Sequence, residues 1–239
     1  MITVQFKIVG DNRVWDKRLK VSWGFSCLVE KDLLFDTDED ETTLLFNMKT
    51  LGISPQDLTT IVISHDHYDH TGGLPGLLKQ NPRVKVYGLS NFSASFKDKV
   101  RDFGVKLIEK DEFNQIAPGI YLTGELMASF GKGSLSEQSL IVKTDPGLVV
   151  ITGCSYPGIV RILEKVKNNL KKPIYLVLGG LHLMEKAEGM IEIIGKEFHE
   201  LGVKKVAPTH CTGEEAIGLF REEYKEDFLP VGVGKIIEV

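Results

Sequence analysis

Three cysteines in 239 residues, at Cys27, Cys154 and Cys211, form no evident disulfide framework. No apolar run reaches the length needed to cross a bilayer. The opening stretch Met1-Ile2-Thr3-Val4-Gln5-Phe6-Lys7-Ile8-Val9 alternates like a strand and lacks the continuous apolar core of a signal peptide. A cytoplasmic location is the expectation. An excess of one charge is also missing: Lys and Arg total 29 against 33 Asp and Glu, a net charge of −4 with the signs interspersed. That balance carries no footprint for nucleic acid or an anionic membrane, so the expected partner is a small-molecule substrate, with a homo-oligomer left open. Tandem repeats, low-complexity tracts and flexible linkers are absent as well. With 42% hydrophobic residues the chain can bury a sizeable core, and residues 1–239 are expected to form a single domain made of two α/β halves.

Histidine is scarce too, yet five of the six occur in motifs suited to metal: three in Ser64-His65-Asp66-His67-Tyr68-Asp69-His70-Thr71-Gly72-Gly73, one in Gly179-Gly180-Leu181-His182, and one in Thr209-His210-Cys211. The first run follows Thr60-Ile61-Val62-Ile63, a β-branched segment that reads as a buried strand, and precedes a Gly-Gly turn and Pro75, a suitable helix start. His65 and His67 alternate, so both imidazoles can leave the strand end on one side, while Asp69 and His70 come after the chain has turned. Imidazoles suit zinc and iron, and Asp69 adds a hard oxygen. Neither a turn nor a helix cap calls for three imidazoles and two carboxylates in six residues.

Hydrophobic patterning predicts strands over 2–9, 23–29, 33–35 and 60–64, with a helix over 41–51 ended by Gly52. A strand at 84–87, a helix at 91–103 and a strand at 105–108 follow, then short strands near 120–123, 139–143 and 148–152. Regular alternation closes the chain: helix 157–170, strand 174–178, helix 186–201, strand 203–207, helix 213–224 and a short final strand. The stretch Phe130-Gly131-Lys132-Gly133-Ser134 reads as a mobile loop.

Residues at strand ends are the remaining site candidates. Cys154 lies in Thr152-Gly153-Cys154-Ser155-Tyr156-Pro157 after a buried strand, where a nearby dication would keep its thiolate deprotonated. Pro157 reads as the first residue of the next helix, which makes the amides from Ser155 onward an anion-binding helix start. His210 ends a strand just before a helix. Strand alternation then turns Cys211 away from it, a structural position. Asp36 ends strand 33–35 within hydrogen-bond reach of ligand histidines or as a turn carboxylate, and Asp66 is a candidate acceptor for a ligand imidazole N–H. Cys27 reads as a core residue and His199, between Glu197 and Glu200, as solvated.

The run His65-x-His67-x-Asp69-His70 after a buried strand resembles the first signature of the metallo-β-lactamase superfamily. The resemblance implies an α/β fold of the four-layer αββα sandwich type, and a site for zinc, as one or two divalent ions, with iron or manganese as alternatives. It implies metal ligands at His65, His67, Asp69, His70, Cys154 and His210, Cys154 standing where most of the superfamily has a bridging aspartate. The superfamily usually supplies a further histidine between the first motif and that position; residues 71–181 contain none, so either Glu137 or Gln138 takes its place or the position is empty and one metal has fewer protein ligands. His182 is similar to a post-strand histidine that serves as proton donor in the transfer-RNA maturation nucleases of the superfamily, which makes it a general acid or an added ligand, a histidine merely hydrogen-bonded to backbone being the other reading. Asp69 and His182 are therefore the expected catalytic pair in a metal-dependent hydrolase: Asp69 orients a metal-bound hydroxide, His182 protonates the leaving group, and the substrate is small and phosphate-containing.

Phrases along nearly the whole chain, among them Trp23-Gly24-Phe25-Ser26, Leu34-Phe35-Asp36-Thr37, Glu137-Gln138-x-Leu140, Gly179 to Leu183 and Thr209 to Gly213, resemble the branch of this superfamily related to dihydropteroate synthases. One member of that branch joins a pterin methyl diphosphate to an aminobenzene ribosyl phosphate in the methanopterin pathway. A pterin-type transferase releasing diphosphate is the alternative that follows, and a non-catalytic metal- or ligand-binding protein is the third. The branch typically reads Gly-Cys-Ser-His where this chain has Tyr156 in the last place, a phenol that donates a hydrogen bond but is a poorer zinc ligand.

Overall fold

A computed structural model describes residues 3–239. In chain order the strands and helices are β1 (Gln5–Gly10), β2 (Ser26–Val29), β3 (Leu33–Phe35), α1 (Glu41–Thr50), β4 (Thr60–Val62), α2 (Tyr68–Thr71), α3 (Leu74–Gln80), β5 (Lys85–Gly88), α4 (Ala94–Asp102) and β6 (Leu107–Glu109). They continue with β7 (Asn114–Ala117), β8 (Ile120–Leu122), β9 (Leu126–Phe130), β10 (Gly133–Glu137), β11 (Leu140–Lys143), β12 (Leu148–Thr152), α5 (Ile159–Leu170), β13 (Ile174–Gly180), α6 (Glu188–Glu200), β14 (Lys205–Thr209), α7 (Glu214–Tyr224) and β15 (Ile236–Glu238). The chain divides into two compact units: Thr3–Asp111 with Val231–Val239, and Glu112–Pro230.

The first unit is a seven-stranded sheet in the order β15-β1-β2-β3-β4-β5-β6, parallel from β3 onward. Its helices bury Leu44 and Met48 of α1, Leu74, Leu77 and Leu78 of α3, and Phe96 and Val100 of α4 against Leu34, Ile61, Ile63 and Val86. Period-two alternation along the strands leaves these residues on one sheet face, which is why the helices gather there. Asp40 caps α1 by accepting from Thr43 N, and Ser93 caps α4 by accepting from Phe96 N.

The second unit has a six-stranded sheet in the order β14-β13-β12-β11-β8-β7 and a β9–β10 ribbon. β12, β13 and β14 run parallel, joined by crossover helices, and β12 is buried along its whole length. Amphipathic α5, α6 and α7 cover one face, with Ile162, Leu163, Phe198, Ile217 and Phe220 packed on Ile141, Val150, Val177 and Val206.

Three expectations change. The predicted mobile loop at 130–134 is the turn of a regular hairpin. The Gly179-Gly180 pair, which by sequence reads as a flexible turn after strand 174–178, belongs to β13 and hydrogen-bonds in its ladder. Helix α5 starts at Ile159, after Gly158 at φ 94°, so Pro157 lies outside it. Among the described residues, no helix is long and apolar enough to cross a membrane.

Candidate metal centre

The loop after β4 delivers His65, His67, Asp69 and His70, the last two from the short helix α2. Ligand atoms of His65, His67 and Asp69 lie within 4.8 Å of one another. The His65 ring is 4.8 Å from that of His67 at 72° and 4.2 Å from that of His70 at 47°. His70 Nε2 is 3.6 Å from Asp69 Oδ2. Two imidazole nitrogens and a carboxylate oxygen so spaced are a donor set that fits a single divalent ion such as zinc or iron.

A buried carboxylate sets the orientation of these rings. Asp36, fully buried at φ 55°, accepts from His70 Nδ1 at 2.7 Å through Oδ2 and from Ser64 N at 2.7 Å through Oδ1. Ser64 Oγ donates to Asp36 Oδ2 at 2.7 Å and lies 2.9 Å from His65 Nδ1. Asp36 thus holds one imidazole directly and a second through a hydroxyl, leaving the outer Nε2 of His70 toward Asp69. Of the two readings of Asp36, the hydrogen bond to a site histidine is the one realised. Thr37 N and Oγ1 both donate to the His70 carbonyl oxygen, at 2.8 and 2.9 Å. At Gly72 a Cβ would lie 1.8 Å from the Glu39 carbonyl oxygen, so only glycine lets the two loops approach this closely. Asp66 does otherwise than expected: its Oδ2 accepts from Ser93 N at 2.7 Å, tying down the entry to α4.

In the second unit the candidates gather at the carboxyl ends of β12, β13 and β14. Ligand atoms of Cys154, His182 and Cys211 lie within 4.8 Å of one another. His210 is 1% exposed, in a 3-10 turn over His210–Thr212. The expectation that Cys211 turns away as a structural residue fails. It rests on strand alternation, but β14 ends at Thr209 and His210 takes φ 52°, so alternation no longer governs the next side chain. As a thiol, Cys211 Sγ donates to the Cys154 carbonyl oxygen at 3.6 Å. Burial pushes the Cys211 thiol up, but hydrogen bonding with the Cys154 and His182 side chains and the charge of His210 outweigh it and hold it well below the usual thiol value.

The anion site expected at Ser155 is filled from within. Glu137, 1% exposed, accepts from Cys154 N at 2.9 Å and Ser155 N at 2.8 Å through Oε1, and from Tyr156 N at 2.7 Å through Oε2. Three successive amides converge on one carboxylate because Ser155 is left-handed at φ 66°, and no helix start is involved. Glu137, expected as a replacement metal ligand, therefore spends both oxygens on the loop that carries Cys154. Tyr156 stacks near His182, ring centres 4.2 Å apart at 41°, and meets Phe130 edge-on at 5.4 Å. His199 pairs with Glu223 at 3.0 Å, away from these groups.

Cys211 and the destination of Glu137 are what sequence reasoning missed. The pairing of a lone buried carboxylate with three loop amides has no local sequence signal. For Cys211 the equal spacing from its strand's end to those of Cys154 and His182 emerges only from the observed ends at Thr152, Gly180 and Thr209, since the predicted ends at 178 and 207 hide it.

Residues 30–163 match the model of the metallo-β-lactamase superfamily, and the chain belongs to that superfamily. It is 33% identical to the 7,8-dihydropterin-6-methyl-4-(β-D-ribofuranosyl)-aminobenzene-5'-phosphate synthase of Methanocaldococcus jannaschii over 88% of this chain and 85% of the relative. Among solved structures it is similar to Tm1679, described as a metal-dependent hydrolase of the β-lactamase superfamily, with 30% identity and a TM-score of 0.83 over 99% of both chains. The metallo-β-lactamase fold protein YhfI from Bacillus subtilis, 14% identical with a TM-score of 0.72 over 99% of both chains, shares the fold. The mixed α/β architecture is the fold of these neighbours. The superfamily is generally hydrolytic and dependent on divalent metal, and the His/Asp/Cys groups described above are the candidate donors.

Proposed function

We propose that the protein is a metal-dependent hydrolase of a small, phosphate-bearing substrate. The observation that carries this reading is the convergence of His65, His67 and Asp69 on one loop, with the neighbouring rings held by Asp36 and Ser64. A divalent ion bound there supplies Lewis acidity and water of lowered pKa. His65, His67 and Asp69 would hold it, with His70 beside them as a further donor, and Asp69 would orient a water at that position. Asp36 keeps the His70 and His65 rings from rotating. Support for phosphate comes from the relative whose name includes a 5'-phosphate and no longer from the amides at Ser155, which Glu137 already occupies.

A pterin-type transferase is the second reading, favoured by the aromatic sequence Phe130, Tyr156, His182, a surface that suits a flat heterocycle better than a plain ester. One experiment addresses both. The purified protein, with its metal content measured, is offered phosphodiester, phosphomonoester, lactone and thioester substrates, and separately a pterin methyl diphosphate with an aminobenzene ribosyl phosphate. Metal-dependent turnover of a phosphoester is expected, together with loss of metal in His67→Ala/Asp69→Ala. Coupling with release of diphosphate would move the assignment to the transferase, and unchanged metal in the double variant would remove the site itself.

A further inference from the structure

We infer that the protein associates with itself by seating the Trp15 loop of one copy in the acidic groove between α6 and α7 of a second. None of the residues involved belongs to the His65, His67, Asp69 set, so the contact stands or falls apart from the proposed reaction.

One side of the contact is a rigid, cationic loop with an exposed indole. Between β1 and β2, residues 13–20 hold Arg13, Lys17, Arg18 and Lys20 against the single carboxylate of Asp16, a local excess of positive charge in a chain of net charge −4. Val14 and Trp15 are 52% and 50% exposed. Lys235 Nζ, 3.8 Å over the Trp15 ring, adds a fifth cation. The backbone that presents them is fixed: Trp15 N and Asp16 N both donate to the Val233 carbonyl oxygen, at 3.1 and 3.0 Å, and Val233 N donates to that of Arg13 at 2.8 Å. At Gly234 a Cβ would lie 2.6 Å from the Asp16 Cβ, so the C-terminal segment lies hard against the loop. A tryptophan held in place this way loses little freedom on binding and is a strong anchor.

The receiving side has the opposite character. α6 and α7 hold four glutamates each against Lys196 and Arg221. Between the two helices runs a groove of about 290 Å³ lined by Ile191, Leu219 and Phe220 and by Glu192, Glu222 and Glu223. The apolar three are buried or half-buried and the glutamates exposed, which gives an apolar floor and an anionic rim. Small-molecule pockets begin at about 300 Å³, so this volume suits one large side chain better than a cofactor. The rim is ordered: His199 Nε2 lies 3.0 Å from Glu223 Oε1 and its ring stacks on that of Tyr224 at 4.8 Å and 12°. A Cβ at Gly195 would lie 2.2 Å from Glu223 Oε2, so glycine is what lets that carboxylate rest against α6.

Charge decides which surfaces meet. Loop against loop, or groove against groove, would oppose like charges in two copies, whereas loop against groove sets the cations around Trp15 against the carboxylates around the apolar floor. The indole covers Ile191 and Phe220, and Arg13 and Lys17, two residues to either side of it, meet the rim. Trp and Arg are the residue types that most often anchor interfaces. The contact joins two different surfaces, so a copy with an altered loop still offers its groove, and the reverse.

Sedimentation velocity on the unaltered protein over a concentration series, at about 0.05 M and about 1 M salt, measures the association. The expected result is concentration-dependent association at low salt that weakens at high salt. Trp15→Ala/Lys17→Ala and Glu222→Ala/Glu223→Ala should each weaken it by about 30-fold or more, the size of a hot-spot loss. Mixing these two variants leaves one intact loop and one intact groove, so they should form a one-to-one pair at concentrations where each alone is monomeric. If the Trp15 variant folds poorly, Lys17→Glu, at an exposed position, gives the same loss, and Glu222→Lys added to it should restore association. Trp23→Phe leaves Trp15 as the sole indole, whose emission should move to shorter wavelength on association. A monomer at every concentration up to about 0.1 mM, association untouched by either pair of substitutions, or variants that fail to pair when mixed would overturn the contact. So would association lost in the loop variants but kept in Glu222→Ala/Glu223→Ala, which would seat the loop on a different surface.

Discussion

At the residue scale the first unit is notable for carboxylates buried next to its loops: Asp36 and Asp38 are both fully buried with left-handed backbone. Asp36 answers to Ser64 and His70. Asp38 has a different environment: Ser22 Oγ lies 2.6 and 2.7 Å from its two oxygens and Glu39 N donates at 2.7 Å, with no cation among these partners. Burial pushes its carboxyl up to about 6, more than those hydrogen bonds pull it down, and the charges of Glu39 and Asp40 add to the rise. The sign follows directly. A folded-state value above the unfolded one makes the folded state the better proton binder, so the group's contribution to stability is fully present below about pH 4 and lost as pH rises through about 6. Asp38→Asn removes that dependence. Between about pH 4 and pH 7 the variant should gain about 3 kcal/mol relative to the unaltered protein, from a shift of about two units. Urea unfolding across that range measures it, and a difference that does not change with pH would show that Asp38 titrates like an exposed aspartate.

At the scale of elements, the segment between β12 and α5 is held as a loop by one side chain from the end of β10. Glu137 accepts three consecutive amides there, and Ser155 Oγ adds a bond to the Gly180 carbonyl oxygen at 2.7 Å. Glu137→Ala leaves those buried amides without their acceptor. Each unsatisfied group costs about 1–3 kcal/mol, so the variant should lose about 3 kcal/mol or more of stability. Glu137→Gln retains one acceptor oxygen and should lose less. Chemical denaturation ranks the three proteins, and amide hydrogen exchange at 154–156 should accelerate in the alanine variant first. Equal stability of all three would mean that water replaces the carboxylate without penalty and that the loop keeps its shape unaided.

For the whole molecule, the last nine residues return to the first unit although the second lies between them in the chain. β15 pairs antiparallel with β1, Val4 and Val239 exchange backbone hydrogen bonds at 2.8 and 3.0 Å, and Val233 bridges to Val14. Val233 is fully buried and Ile237 is 5% exposed. Lys235 Nζ sits 3.8 Å over the Trp15 ring. Full burial of such side chains is worth about 1.5–3 kcal/mol each, so deleting residues 232–239 should remove about 3–6 kcal/mol, a large part of the stability of an ordinary domain. Thermal unfolding of the truncated chain should show a much lowered or absent cooperative transition. A melting temperature like that of the intact protein would mean that β15 is only laid along the edge.

Short-range information in the sequence determined a good deal. Period-two and period-3.6 patterning placed β3, β12 and the body of α1 and α7, and misplaced element ends by a few residues, as at Pro157, because the turn is decided by Gly158 and by Glu137 from another strand. The His65 to His70 motif was legible because its donors are consecutive on one loop, so the chain itself guarantees that they meet. What only tertiary structure decided is every relation that depends on register or on a distant partner. Asp36 could be an ordinary turn residue until β3 and β4 pair and set it against Ser64 and His70. Cys211 looked turned away until His210 adopted a left-handed backbone, and Gly179-Gly180 looked like a flexible turn until both found ladder partners. The physical reason is the same in each case: local propensity is written into neighbouring residues, whereas a buried carboxylate or sulfur takes its role from whichever strand packing delivers to it.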